Sequence, residues 1–324
     1  INQYYFQNTA AQLKQCGGYV NCTTSRSYAR HGSLTNQFSG KVSLSYQFNR
    51  NILVYASVAR GVKPGGFATN TTVSEVQVEP FKPEWVMTYE AGAKTEFFDH
   101  KLRINGTLFY NQYHDKQMLG SIVIPGVPTA ATQEGIPGMY SMYVNVPHSK
   151  TWGTEINIAA HPIRGLSFSQ NIGYLRGTYT DYQQVDQQAV AAHYASTGRY
   201  ASYVTSFNGS DMGMPKLTLS GSASYDTLPL WRHYKLNFEV NYSYRTQQNS
   251  LQPRGSGLYV VPSYFLLGAS VTFRPLNNRW FVTAYASNLT GRRYLTVVST
   301  IATTSLTAVS GDPRFVGGRF GFDF

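Results

Sequence analysis

No stretch of the 324 residues stays apolar long enough to cross a membrane as a helix, yet segment after segment alternates apolar and polar residues with a period of two. A spanning helix needs an uninterrupted run of ~18 apolar residues, and the clean runs here are pieces such as Phe265-Leu266-Leu267. From Tyr234 to Arg245, one parity holds Tyr234, Leu236, Phe238, Val240, Tyr242 and Tyr244, and the other holds Lys235, Asn237, Glu239, Asn241, Ser243 and Arg245. Successive side chains of a strand point to opposite faces, whereas a helix would scatter both sets around its circumference. The same parity separates Val42, Leu44, Tyr46 and Phe48 from Lys41, Ser43, Ser45 and Gln47. It separates Leu217, Leu219, Ala223 and Tyr225 from Thr218, Ser220, Ser222 and Ser224, and Trp152, Thr154, Ile156 and Ile158 from Gly153, Glu155 and Asn157. Around 52–60 and 280–288 both parities are apolar, as expected of a lumen packed against something or of a bent strand.

Strands with one apolar and one polar face need two solvents. Charged residues make up only 13% of the chain, roughly half the share in an ordinary soluble domain, while aromatics reach 15%, too many for a disordered chain. Apolar residues facing lipid and polar residues facing a lumen satisfy both facts, so the fold class is all-β, an antiparallel transmembrane β-barrel. The net charge of +11 implies attraction to anions, such as lipopolysaccharide phosphates or an acidic ligand, and does not call for nucleic acid. Cys16 and Cys22 lie in one Gly-, Ser- and Thr-containing stretch with five residues between them. A disulfide pinning a loop in an oxidising compartment is expected, with two free thiols or a weak metal pair as the alternatives.

Turn signals divide the strands into hairpins of two kinds that alternate throughout. Short turns fall at 49–51, 98–100, 161–165, 228–232 and 275–278, and long connections at about 9–36, 64–82, 118–148, 183–214, 248–262 and 293–313. Short turns at one rim and long loops at the other mark a bacterial outer-membrane barrel with its short side periplasmic. The count is about twelve strands, the first near residues 1–8 and the last near 314–324. Phe48, Phe97, Phe98, Trp231, Phe273, Trp280 and Phe324 flank the short turns, and Tyr110, Tyr174, Tyr242, Tyr244 and Tyr264 lie nearer the long loops, as two interfacial belts. The ending Phe320-Gly321-Phe322-Asp323-Phe324 is apolar at alternate positions with a terminal aromatic carboxylate, a pattern resembling the signature read by the outer-membrane barrel assembly machinery.

An ordered series of short motifs then becomes recognisable. Phe38 to Phe48, followed by Val54-Tyr55-Ala56-Ser57-Val58-Ala59-Arg60-Gly61-Val62-Lys63-Pro64-Gly65-Gly66-Phe67, resembles the mid-barrel region of TonB-dependent outer-membrane receptors. Phe81-Lys82-Pro83-Glu84, Tyr89 to Lys94, Leu108-Phe109-Tyr110, Asp115-Lys116-Gln117, Trp152 to Glu155, Asn288 to Tyr294 and Gly311 to Arg314 follow in the order of that family. The resemblance runs from about residue 36 to the end. It implies a barrel of about 22 strands, a plug domain in its lumen and a TonB box ahead of the plug. Residues 1–324 then correspond to the carboxy-terminal portion of such a barrel, with the plug and TonB box outside this chain. TonB would be a partner through that missing region. The ligand implied is a ferric siderophore or a similar scarce small molecule.

No catalytic motif is present: there is no Gly-x-Ser-x-Gly elbow, no His-Glu-x-x-His and no Cys/His cluster at metal spacing. The reading is therefore not an enzyme, with no metal and no cofactor. Strand phase places Arg60, Tyr113, Asp115, Arg245 and Gln247 in the lumen near the long loops, with Lys63, Tyr143, Arg292 and Arg293 close by. Arg and Lys would attract an anionic chelate and Tyr would stack on it. The expected ligand-binding set is Arg60, Lys63, Tyr113, Tyr143, Arg245, Gln247 and Arg292, although Arg60 and Glu84 also read as architecture. The stretch 179–211 has the composition of an extracellular loop holding a short helix, read as a surface lid with ligand gating as the alternative, and His114 and His148 read as interfacial or solvated groups with metal contact as the alternative. Two other classes compete with a receptor. A complete twelve-stranded barrel enzyme of the phospholipase kind needs a lipid-facing His/Ser pair, and a passive porin needs opposed charges at a constriction.

Overall fold

The computed structural model describes residues 2–7, 26–31, 37–67, 79–123, 139–199, 201–231, 233–249, 260–302 and 305–322. Cys16, Cys22 and Phe324 lie outside the described residues. In chain order, β1 (Asn2–Gln7) pairs with β2 (Arg26–His31) as a ladder of two. Then come β3 (Gly40–Asn49), β4 (Ile52–Lys63), β5 (Glu84–Phe97), β6 (Leu102–Val123), β7 (Met139–Ala160) and β8 (Leu166–Asp181). A long connection holds β9 (Gln183–Val185), helix α1 (Gln187–Thr197) and β10 (Val204–Ser206). The remainder is β11 (Leu217–Asp226), β12 (Tyr234–Arg245), β13 (Gln248–Asn249), β14 (Val260–Val261), β15 (Tyr264–Pro275), β16 (Trp280–Ser287), β17 (Leu295–Ala302), β18 (Ser305–Ser310) and β19 (Phe315–Phe322).

Eleven strands form one antiparallel sheet in the order β19-β16-β15-β12-β11-β8-β7-β6-β5-β4-β3. The sheet accounts for every expected barrel strand except the first: Asn2–Gln7 is extended but pairs with Arg26–His31. Residues paired across an antiparallel ladder share a face. The row Leu44, Ala56, Ala91, Leu108, Thr154, Tyr174 and Leu217 therefore lies on one side of the wall. This side carries the exposed apolar groups, with Val42 78% and Leu44 77% accessible. The row Ser45, Tyr55, Gly92, Thr107, Glu155, Gly173, Thr218, Arg245 and Tyr264 lies on the other side. That row starts near a short turn and ends at a long loop, so the strands are staggered as a tilted barrel wall requires. Hydroxyls and amides link strands across this polar side, as in Thr272 with Thr283 at 2.8 Å and Asn157 with Asn171 at 2.9 Å.

Two of the expected long loops are largely strand. β6 and β7 each run 22 residues and stay paired from Leu102–Ala160 to Val123–Met139, so the 118–148 connection is mostly a continued hairpin. A bilayer takes about 9–11 residues of tilted strand. Leu102 to Tyr110 supplies that, and the rest rises beyond the membrane as a tower. The 293–313 connection likewise holds the β17·β18 ladder. The expected helix between 179 and 211 is α1, capped by the Asp186 carboxylate accepting from Ala189 N at 3.0 Å and ended by left-handed Gly198. Against the tower pack Val146, Tyr179, Tyr182 and Phe207, all at or below 5% accessible, with Met118 and Met212 beside them.

Candidate functional site

Arg245 is the last residue of β12, on the polar side of the wall and at the long-loop rim. Its guanidinium carbon stands 5.0 Å from the centroid of the Tyr264 ring, its ladder partner on β15. The pair closes one end of a recess of about 260 Å³ whose polar lining includes Asn171, Thr218, Ser220 and Ser243. Arg245 Nε and Nη2 are shielded from solvent and have no hydrogen-bond partner among the described residues. The guanidinium is a permanently charged group among the residues that line the recess, and such a group attracts an acceptor-rich anion. Tyr264 also packs on Tyr294 with ring centroids 4.5 Å apart. The turn before Tyr294 is stapled by Asn288, whose Oδ1 accepts from Arg292 N at 2.8 Å and whose Nδ2 donates to Arg292 O at 2.8 Å and Asp312 O at 3.1 Å. Arg292 is thus held by its backbone beside the recess while its side chain is exposed.

A second cationic group sits where β4, β5 and β6 leave the membrane. Lys63 pairs with Glu84 across the ladder, and the Lys116 ammonium lies 4.6 Å over the Tyr113 ring. Burial pushes the Lys116 pKa down; Glu84 opposes the shift and Lys63 adds to it. The backbone turns at Asp115, whose φ of 50° is left-handed. The following Gln117 ties the hairpin to the preceding loop, donating from N to Glu84 Oε2 at 3.0 Å and from Nε2 to Pro64 O at 2.8 Å and Lys82 O at 3.1 Å. Asn145 completes the clamp by accepting from Lys82 N at 2.8 Å and donating to Asp115 O at 2.7 Å. Tyr143 packs on Phe81, 5.1 Å between centroids, rather than standing free.

The expected residues therefore separate into groups. Lys63 and Tyr113 come together around Lys116, Arg245 joins Tyr264, Tyr143 belongs to the loop clamp, and Gln247 is exposed just beyond β12. Arg60 is placed differently from its expected lumen phase. It pairs with Gly40 and Met87 on the face of Val42, Val58 and Tyr89, which is the apolar one. Its guanidinium lies 4.8 Å from the Trp85 ring centroid and donates to Phe38 O at 3.0 Å and Gln37 Oε1 at 3.2 Å. Both parities of 52–60 are apolar, so the segment alone does not reveal its phase; the register with Val42 and Leu44 does. Tyr264 is the converse correction: it faces the polar side with Arg245 and not the lipid belt. Its neighbours Phe265, Leu266 and Leu267 hide the alternation. The place of Lys116 is not legible from parity, because left-handed Asp115 interrupts the alternation there. Among the described residues no group of His, Cys, Asp and Glu could hold a metal ion.

A wall apolar outside and polar inside, with short turns at one rim, defines an outer-membrane β-barrel. The family model described as TonB dependent receptor-like, beta-barrel matches residues 8–289, and the chain belongs to that family. Its fold is that of solved receptors. The ferric yersiniabactin uptake receptor FyuA from Yersinia pestis superposes with a TM-score of 0.70 at 19% identity, covering 94% of this chain and 40% of that one. BauA, the ferric preacinetobactin receptor from Acinetobacter baumannii, gives 0.59 at 18% identity, covering 94% and 38%. The ferripyoverdine receptor of Pseudomonas aeruginosa gives 0.59 at 16% identity, covering 93% and 34%. The chain thus spans about two fifths or less of the length of these relatives. It is an outer-membrane barrel protein of the TonB-dependent receptor family.

Proposed function

We propose that this chain forms the carboxy-terminal half of the barrel of a TonB-dependent receptor that imports an anionic metal chelate, a ferric siderophore being the class that fits best. The observation that carries the reading is Arg245, a cationic group lining a recess with Tyr264 on the polar side of the wall at the long-loop rim. Lys63, Tyr113 and Lys116 supply a second positive and aromatic position, with Arg292 at the turn nearby. Siderophore receptors among the structural relatives support the class of cargo. Strands β3 and β19 each have one unpaired edge among the described residues, and in hydrocarbon an unsatisfied backbone group costs several kcal/mol. The rest of the receptor would pair both edges, fill the lumen with a plug, and reach TonB through the region ahead of the plug. Import would then draw on the inner-membrane proton gradient, since the outer membrane has no ATP.

The test is growth of a deletion strain, complemented with wild type or Arg245→Glu, on a panel of chelated iron sources, vitamin B12 and oligosaccharides. Iron-dependent growth on one anionic chelate is expected, and Arg245→Glu lowers its apparent affinity by about tenfold or more, the scale of a charge-assisted hydrogen bond turned repulsive. Unchanged uptake by the variant removes Arg245 from the site. A carbohydrate phenotype without an iron phenotype overturns the siderophore class.

A further inference from the structure

Arg60 lies on the outside of the wall, and it has company there. On the apolar face, Tyr89, Tyr110, Trp152 and Tyr174 form a belt, with Tyr89 and Tyr110 centroids 6.4 Å apart and Trp152 and Tyr174 5.7 Å apart. Each lies eight residues from the short-turn end of its strand. At the same count stands Arg60, two residues further stand Lys150 and Arg176, and two further again Trp85, His114 and His148. Strand pairing puts all of them on the side that faces lipid. The hydrocarbon is crossed in about 9–11 residues, so these groups sit at headgroup depth in the outer leaflet.

They are built into one surface. The Trp85 and His114 rings stack 3.7 Å apart and 5° from parallel, the His148 ring meets His114 edge-on at 4.7 Å, and Arg60 lies over Trp85. Lys150 and Arg176 make no ion pair or hydrogen bond among the described residues, and Arg176 is exposed. The acids nearest along the ladders are Asp115, next to His114 on β6, and Asp181, paired with His148, both at the upper edge of the patch. A neighbouring strand lies ~4.8 Å away and the next same-face residue ~6.7 Å, which puts Lys150 and Arg176 about 8 Å apart and Arg60 about 14 Å from Lys150. That span suits a headgroup carrying more than one phosphate, set on a flat aromatic platform.

We propose that Arg60, Lys150 and Arg176, with the Trp85–His114–His148 stack, form an outer-wall site for the phosphorylated headgroup of lipopolysaccharide. Lysines and arginines at this depth would bind phosphate oxygens directly, and the rings would fill the boundary between headgroup and acyl chain. The inference rests on the barrel's place in the outer membrane and is independent of the imported ligand.

The receptor extracted from outer membranes in mild detergent is titrated with lipid A and read by native mass spectrometry, with phosphatidylglycerol and inorganic phosphate as separate arms. Wild type is expected to bind lipid A about thirtyfold more tightly than Lys150→Gln/Arg176→Gln, and Arg176→Gln alone to lose about fivefold. Lys94→Gln/Lys235→Gln removes the same charge from the lumen face and is expected to bind like wild type. Retained heat-modifiability on gels shows that each variant is folded, and uptake by the outer-wall variants stays within about twofold of wild type. Equal binding by wild type and the outer-wall variants overturns the site, as does equal loss in the lumen control. Displacement by millimolar phosphate, or equal affinity for phosphatidylglycerol, overturns the assignment to lipopolysaccharide.

Discussion

The wall and the tower use apolar side chains in opposite ways. In the wall, Val42, Leu44, Leu108 and Val240 stand outward and exposed, while Ser57, Thr151 and Thr283 on the inner side are buried at 7%, 5% and 3% accessible. In the tower, Val146, Tyr179, Tyr182 and Phe207 close on one another, with Tyr179 and Tyr182 centroids 4.9 Å apart and Tyr182 and Phe207 5.5 Å apart. Burial pushes the pKa of both tyrosines up, as it does in the interior of a soluble protein. The same two strands, β6 and β7, take part in both regions. What changes between Tyr110 and Met118 is the solvent, and each region is correct only for its own.

Substitutions can break this comparison region by region. The largest effect is expected from Phe207→Ala, which opens a cavity in the tower and destabilises it by about 3–5 kcal/mol. Because that core is separate from the wall, amide exchange should quicken across 179–211 while the membrane strands stay protected. Global unfolding at the same denaturant shift would show that the two regions are one cooperative unit. Next is Val240→Arg, on the lipid face midway along β12, with an expected cost of about 2–4 kcal/mol measured by refolding into bilayers. Asn241→Arg, its neighbour on the lumen side, should change stability by under about 1 kcal/mol. Equal costs at the two positions would refute the assignment of faces.

Legibility in the sequence followed the same division. Where one solvent alternates with another, as in 234–245, parity alone placed every residue, and the register confirms it. Where a strand is apolar on both sides, as in 52–60, or where an irregular residue such as Asp115 intervenes, the phase is lost, and Arg60, Tyr264 and Lys116 went astray for this reason. The tower core was illegible because Val146 and Tyr179 meet through the pairing of β7 with β8, and Phe207 reaches them on the loop that returns after β10, rather than by any period. The recess at Arg245 was half legible: its charge and phase are local, but Tyr264 reaches it only through the pairing of β12 with β15.

The smallest effect tests how finely the tower is divided. Helix α1 has 11 residues, fewer than the ~12–15 an isolated helix needs in water, so its ends and its docking decide whether it forms. Asp186 serves both: its Oδ1 accepts from Ala189 N at 3.0 Å as the helix cap, and its Oδ2 accepts from Thr205 Oγ1 at 2.9 Å on the returning β10. Its own N–H donates to Tyr203 O at 2.7 Å, and Tyr203 in turn meets His193 on the helix, hydroxyl to Nδ1, at 3.0 Å. Asp186→Ala keeps the backbone bond and removes both carboxylate bonds, for an expected loss of about 1–2 kcal/mol. Amides of α1 and of the β9·β10 ladder should then exchange about tenfold faster, with those around Phe207 and Tyr182 unchanged. If the aromatic core loosens to the same degree, the helix is part of that core's folding unit and the tower has a single energetic layer where the geometry shows two.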